Sequence, residues 1–145
     1  TKEKKDIIND TIDLKKLGRI ALQDEDHQLR LNLVVHPYIY DLIDEQFDKI
    51  SAKNKHTMFI VDGALIYESG YDQHLDYVIV VTALMKNRME RAMGRGTLTR
   101  EQILQRIELQ WTEEEKTGLA DFVIHNDSTE NSLRKEITEI YERIV

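Results

Sequence analysis

Two kinds of apolar run alternate along the 145-residue chain. Short unbroken runs rich in β-branched residues occur three times: "TMFIVDG" at residues 57–63, "DYVIVVTA" at 76–83 and "DFVIHN" at 121–126. An apolar run of this kind predicts a buried strand, covered on both faces as in a parallel sheet. Elsewhere the apolar residues recur at helical spacing. Within "HPYIYDLIDEQF", Ile39, Leu42, Ile43 and Phe47 form a stripe, which predicts a helix over most of residues 26–47. A second helix is predicted over residues 85–94. A third opens at Thr99 with Gln102 reaching back and a fourth at Thr112 with Glu115, both capping-box patterns. The last helix places Leu133, Ile137, Ile140, Tyr141 and Ile144 on one side. Strands alternating with helices predict an α/β doubly wound domain, in which ligands gather beyond the carboxyl ends of the strands.

The only proline is Pro37, and no segment is repeated or low in complexity, so no internal linker is expected. With 41% apolar residues the chain can bury the core of one domain. There is no cysteine, which excludes disulfides and thiolate metal sites and agrees with a reducing, cytoplasmic setting. The apolar runs are far shorter than a membrane span. A formal net charge of −7 disfavours broad nucleic-acid or membrane binding, because both reward a basic surface.

The charge is uneven. Residues 86–106 carry six cations (Lys86, Arg88, Arg91, Arg95, Arg100 and Arg106) against Glu90 and Glu101, a local +4 that leaves −11 for the remainder. Arg88, Arg91 and Arg95 share one helix face, with Met85, Met89, Ala92 and Met93 turned away. Such a row suits phosphate oxygens, which accept the guanidinium fork bidentately, and suits a solvated face equally well. Gly94 and Gly96 bracket Arg95 and read either as hinges of a closing lid or as a helix C-cap. Asp62 ends the first apolar run. A carboxylate there can hold Mg²⁺ directly or through water, or can simply cap a turn. The five histidines show no metal-ligand spacing, and no structural zinc is expected. "TEEEK" and the charged amino-terminal stretch read as solvated faces. Tyr67, Tyr71 and Tyr77 either line a pocket or pack at the rim of the sheet.

Taken together these segments resemble the dephospho-CoA kinase family. The family's "D-x-P-L-L-F-E" is echoed by "DGALIYESGYD" at 62–72, with Ala64 in place of the proline. Its histidine-proline pair matches His36 and Pro37, preceded by "KKLGRIALQD" at 15–24. The carboxyl half follows the family's order of strand, arginine helix, lid, "R-x-x-x-Q", "E-K" and "A-D-x-V-I-x-N" through "VIVVTA", "ERAMGRGTLTREQILQRIELQ" and "EEKTGLADFVIHND".

The resemblance implies a three-layer P-loop kinase-like α/β fold with a parallel sheet, a helical lid and a helical substrate-binding region. It treats residues 1–145 as the carboxyl-terminal portion of one domain, with an acceptor region at 14–55 and an arginine helix and lid at 86–116. The implied activity is transfer of the γ-phosphoryl group of ATP, with Mg²⁺, to the ribose 3′-hydroxyl of dephospho-CoA. Arg91, Arg95 and Arg106 correspond to the family's arginine-helix and lid positions, and Asp62 and Glu68 to its strand-end carboxylates. Asn126 corresponds to a loop near the adenine, while His36 and Tyr67 fall where the family borders its acceptor.

The family also opens with a strand and a phosphate loop of the form G-x-x-x-x-G-K-[S/T], followed by an aspartate base, and neither is present in this sequence. The resemblance therefore implies roughly 60 residues upstream of Thr1, the usual length of a β-loop-α-β unit. Two other readings stand beside it: a different P-loop kinase of small molecules or nucleotides, and a non-catalytic binding module on the same scaffold.

Overall fold

The structure, a computed structural model, describes residues 12–145; the charged amino-terminal stretch lies outside the described residues. Helices α1 (Leu14–Ala21) and α2 (Glu25–Ser51) come first. Asp13 and Asp24 cap them, each side chain accepting a hydrogen bond from the backbone N–H three residues on. The short helix α3 (Ile66–Ser69) and a 3₁₀ turn (Tyr71–His74) follow, then strand β1 (Ile79–Thr82) and helices α4 (Met85–Gly94), α5 (Arg100–Glu108) and α6 (Glu113–Leu119). Strand β2 (Phe122–His125) and helix α7 (Glu130–Ile144) complete the order.

β1 and β2 pair in parallel, Ile79 with Phe122 through Thr82 with His125, and α4 to α6 form the crossover between them. Two aspartates secure the ends of this ladder. At the start, Asp121 Oδ2 accepts the Val78 N–H at 2.8 Å; beyond the end, Asp127 Oδ1 accepts the Leu84 N–H at 2.6 Å and the Asn87 amide at 3.0 Å.

The predicted helices over 85–94 and at the carboxyl terminus form, and both capping boxes close as the sequence requires. The helix expected over 26–47 extends from Glu25 to Ser51 and continues through Pro37. Proline at that position cannot donate to the Leu33 carbonyl, a loss of one bond that 27 residues of helix absorb.

Three expectations about the sheet and its packing need correction. Residues 57–63 form no strand among the described residues, because a ladder needs a partner and no described segment pairs with them. Asp62 is therefore an exposed residue of an irregular segment, not the end of a strand. Nor is β1 covered on both faces: Ile79 and Val81 remain 42% and 57% exposed, while Val80 and Thr82 turn inward. The stripe on α2 is likewise open, with Ile39, Leu42 and Phe47 exposed and the Phe47 ring edge-on to Phe59 at 5.6 Å. The buried core of the described residues is Ala21, Tyr67, Tyr71, Ile103, Ile124 and Ile140.

Candidate active site

The carboxyl ends of the two strands gather most of the chemistry. β1 ends at Thr82, whose hydroxyl donates to Glu113 in the first turn of α6. Glu113 also pairs with Arg88 at 2.6 Å, so this carboxylate ties β1, α4 and α6 together. One turn further along α4, Arg91 Nη2 donates to the Asn126 carbonyl at 2.9 Å, just past the end of β2. Asn126 is itself held to β1, its N–H donating to the Thr82 carbonyl at 2.8 Å.

The arginine row is thus not one continuous surface. Arg88 is committed to Glu113 and Arg91 to Asn126, whereas Arg95, exposed at the C-cap of α4, makes no ion pair among the described residues. Gly96 follows in the left-handed region at φ 66°, and its N–H returns to the Met93 carbonyl at 3.0 Å. That is the bond of a glycine C-cap, so Arg95 projects from a defined helix end.

Glu68 and Lys116, far apart in sequence, form the least exposed ion pair among the described residues, at 2.6 Å with side chains 10% and 14% exposed. Glu68 Oε1 also accepts the Trp111 N–H at 3.0 Å, and Lys116 donates to the Ala64 carbonyl at 3.1 Å. The Trp111 ring stacks on Tyr67, their planes 2° apart with centroids at 6.2 Å. Tyr67 Oη and Glu68 Oε2 are buried without a hydrogen-bond partner. Burial above all, and then the charges of Asp121 and Asp72, push the Tyr67 phenol above its ordinary range.

Read alone, "TEEEK" suggested a solvated face, and the structure corrects this. Glu113 holds Arg88 and Lys116 holds Glu68, so two of its five residues fasten α6 in place, while Thr112, Glu114 and Glu115 are exposed and Glu115 closes the local Thr112 cap. Partners this remote leave no local signal. The spacing "E-K" at 115–116 marks the segment but not what it touches.

His36 lies a turn before Tyr40 on α2, their rings 5.9 Å apart. The Tyr40 ring packs tilted against Tyr71, centroids 4.9 Å apart, its hydroxyl donates to the Ser69 carbonyl, and the Tyr71 hydroxyl donates to Asp44 at 3.1 Å. Burial first, then the Asp44 bond and charge, push the Tyr71 phenol up. These contacts anchor α2 to α3 and the turn after it. Tyr71 is accordingly packing, and Tyr77, half exposed, leans on Phe122.

Arg106 lies on α5 and faces α1 across a cleft of about 490 Å³ that Lys15, Lys16 and Arg19 also line. The sequence reading noted "KKLGRIALQD" but missed this cluster. Its signal was the i,i+4 spacing of Lys15 and Arg19, which places both on one helix face.

Mg²⁺, implied by the resemblance, meets a sparse donor set. No cluster of three or more histidine and carboxylate groups able to hold a metal occurs among the described residues. Asp62 offers a single exposed carboxylate, which fits an ion held by one carboxylate, water and nucleotide phosphates and does not fit an all-protein cage.

An arginine-bearing helix at the carboxyl ends of two parallel strands, which a crossover of short helices links, is consistent with the α/β fold of P-loop kinases. A family model described as dephospho-CoA kinase matches residues 4–132. The chain belongs to the dephospho-CoA kinase family.

Among its relatives, the dephospho-CoA kinase of Listeria innocua is 32% identical over 143 residues, covering 97% of this chain and 71% of its own. That of Chlorobium chlorochromatii is 31% identical over 131 residues, covering 90% and 61%. The chain thus spans about 61 to 71% of the length of these relatives. The crystal structure of TT1252 from Thermus thermophilus superposes with a TM-score of 0.78 at 25% identity, covering 96% of this chain and 71% of that one. Dephospho-CoA kinase from Campylobacter jejuni gives 0.59 at 32% identity, covering 92% and 66%. No helix among the described residues is long and apolar enough to cross a membrane.

Proposed function

We propose that the full-length protein phosphorylates the ribose 3′-hydroxyl of dephospho-CoA with ATP as donor, giving coenzyme A and ADP. Family membership across residues 4–132 carries this reading. In the step itself the acceptor oxygen bonds to the γ-phosphorus, the bond from that phosphorus to the bridging oxygen breaks, ADP departs and the hydroxyl proton passes to a base. Residues 14–55 serve as the acceptor region and residues 86–116 as arginine helix and lid.

The roles follow from what each group is free to do. Arg95, without a competing carboxylate among the described residues, is available to the transferring phosphoryl group, where electrostatic stabilisation and positioning dominate catalysis. Arg91, held on the Asn126 carbonyl, fixes the loop at which the adenine is placed and keeps a positive charge beside it. Arg106 brings lid charge towards the acceptor side. Asp62 is the carboxylate offered to Mg²⁺, which when bound supplies charge neutralisation on the donor phosphates.

Tyr67, stacked on Trp111, Glu68, locked to Lys116, and His36, beside Tyr40 on α2, are assigned to the border of the acceptor by the family resemblance. A cytoplasmic location and a small-molecule acceptor, rather than nucleic acid, go with this reading. An acceptor panel of dephospho-CoA, adenosine and nucleoside monophosphates tests it. Product from dephospho-CoA alone is expected; phosphorylation of a monophosphate instead would transfer the protein to another small-molecule kinase activity.

A further inference from the structure

The cleft between α1 and α5 is unusual in its charge. The chain as a whole is acidic, yet among the described residues that line this cleft Lys15, Lys16, Arg19 and Arg106 accompany a single carboxylate, Asp13. The Asp13 carboxylate is already engaged, accepting the Lys16 N–H at 3.0 Å as the helix cap. Lys15, Arg19 and Arg106 form no ion pair among the described residues. Gathering uncompensated cations costs mutual repulsion, so a cluster drawn from two separate elements is favourable when an anion fills it. The volume, about 490 Å³, lies within the usual range for a small-molecule site.

The chemistry and position of the cleft narrow the choice of anion. Two guanidinium groups and an ammonium present forked and point-charge donors to tetrahedral oxyanions, the pattern that phosphates accept best. The two walls come from the proposed acceptor region and the proposed lid, and Gln105 Nε2 bridges them, donating to the Leu22 carbonyl at 2.5 Å.

We infer that this cleft is a diphosphate-binding subsite and that it holds the diphosphate of the acceptor, with Lys15, Arg19 and Arg106 as its ligating residues. The assignment of the acceptor rests on the function proposed above; the anion chemistry does not. Dephospho-CoA carries a diphosphate between its adenosine and pantetheine halves. Binding that group between α1 and α5 couples acceptor occupancy to the lid, since one anion neutralises cations on both.

The test uses the full-length protein and the variants Arg19→Gln, Lys15→Gln and Arg19→Lys. Lys15 and Arg19 are exposed, so the fold should survive, and unchanged thermal unfolding verifies that. Calorimetric titration with inorganic pyrophosphate should show binding that weakens about tenfold in Arg19→Gln, one charge-assisted hydrogen-bonding group lost. Arg19→Lys should recover part of it, and affinity should fall with added salt. In steady-state assays, Arg19→Gln and Lys15→Gln should raise KM for dephospho-CoA by a similar factor and leave KM for ATP within twofold.

Unchanged pyrophosphate affinity in both glutamine variants overturns the subsite. A rise in KM for ATP with KM for dephospho-CoA unchanged also overturns it, by assigning the cleft to the donor. If the wild type makes no product from dephospho-CoA yet its pyrophosphate binding is weakened by Arg19→Gln, the acceptor assignment falls together with the proposed function, while the anion chemistry stands.

Discussion

Removing Lys116 tests the packing that places α6 and, through it, the arginine helix. Lys116→Met keeps the length and most of the volume of the side chain but leaves the Glu68 carboxylate facing nothing at the position where the ammonium stood 2.6 Å away. Both side chains are at most 14% exposed, so water screens the pair little. Breaking one partner of a buried pair costs about 3–5 kcal/mol. Here Glu68 keeps the Trp111 N–H as a donor, which places the expected cost near the lower end, about 3 kcal/mol. Glu68→Gln keeps an acceptor for Trp111 and leaves an ammonium that still reaches the Ala64 carbonyl, so about 1–2 kcal/mol is expected. The double variant removes both charges and should be no less stable than Lys116→Met alone, a coupling of at least about 1 kcal/mol. Urea unfolding followed by the fluorescence of Trp111, the only tryptophan, reads the contact from inside it. If the two single-variant costs simply add in the double variant, or if Lys116→Met costs less than about 1 kcal/mol, the pair does not hold α6 and the reasoning fails.

Three further outcomes are expected. Arg95→Ala should lower kcat by at least about tenfold while weakening dephospho-CoA binding less, if Arg95 has its proposed role at the transferring phosphoryl group; unchanged turnover would return Arg95 to a solvated helix end. Asp127→Ala removes the acceptor of the Leu84 N–H and the Asn87 amide and should cost about 1–2 kcal/mol in urea unfolding, whereas Asp127→Asn, which keeps an acceptor, should cost less. The carboxyls of Asp24 and Glu115 are held below the ordinary carboxylate range, the first chiefly by the His27 backbone N–H and the second chiefly by the Thr112 hydroxyl. A depressed carboxyl stabilises the fold above the ordinary carboxylate value of about 4 and loses that contribution as pH falls through the depressed value. Thermal unfolding temperature should therefore drop as pH falls below the ordinary carboxylate value of about 4, and less steeply in Thr112→Ala, with no difference in slope counting against the Thr112 bond.

The elements that could be read from sequence are those whose cause is local. Thr99 with Gln102 and Thr112 with Glu115 announce their helices because the capping bonds span only three residues. The strands at 79–82 and 122–125 were legible as β-branched runs, but the run at 57–63 looked the same and forms no described strand. Apolar character marks a segment able to pair; pairing itself depends on a partner elsewhere.

The same division separates the parts of the candidate site. Spacing placed Arg88, Arg91 and Arg95 on one face, and only the structure distinguishes the two with partners from the one without. Glu68 and Lys116 each lay in a motif of the family resemblance, and nothing in either motif says that they meet. The basic cleft was missed for a related reason: Lys15 and Arg19 stand 87 or more residues from Arg106, and charge summed along the chain does not register a cluster formed across it.

The proposed phosphoryl transfer to dephospho-CoA is tested by following label from [γ-³²P]ATP into the acceptor with the full-length protein. Labelled coenzyme A, phosphorylated at the ribose 3′-hydroxyl, is expected, with one ADP formed for each product. No label in coenzyme A, under conditions in which the protein is folded and ATP is bound, would contradict it.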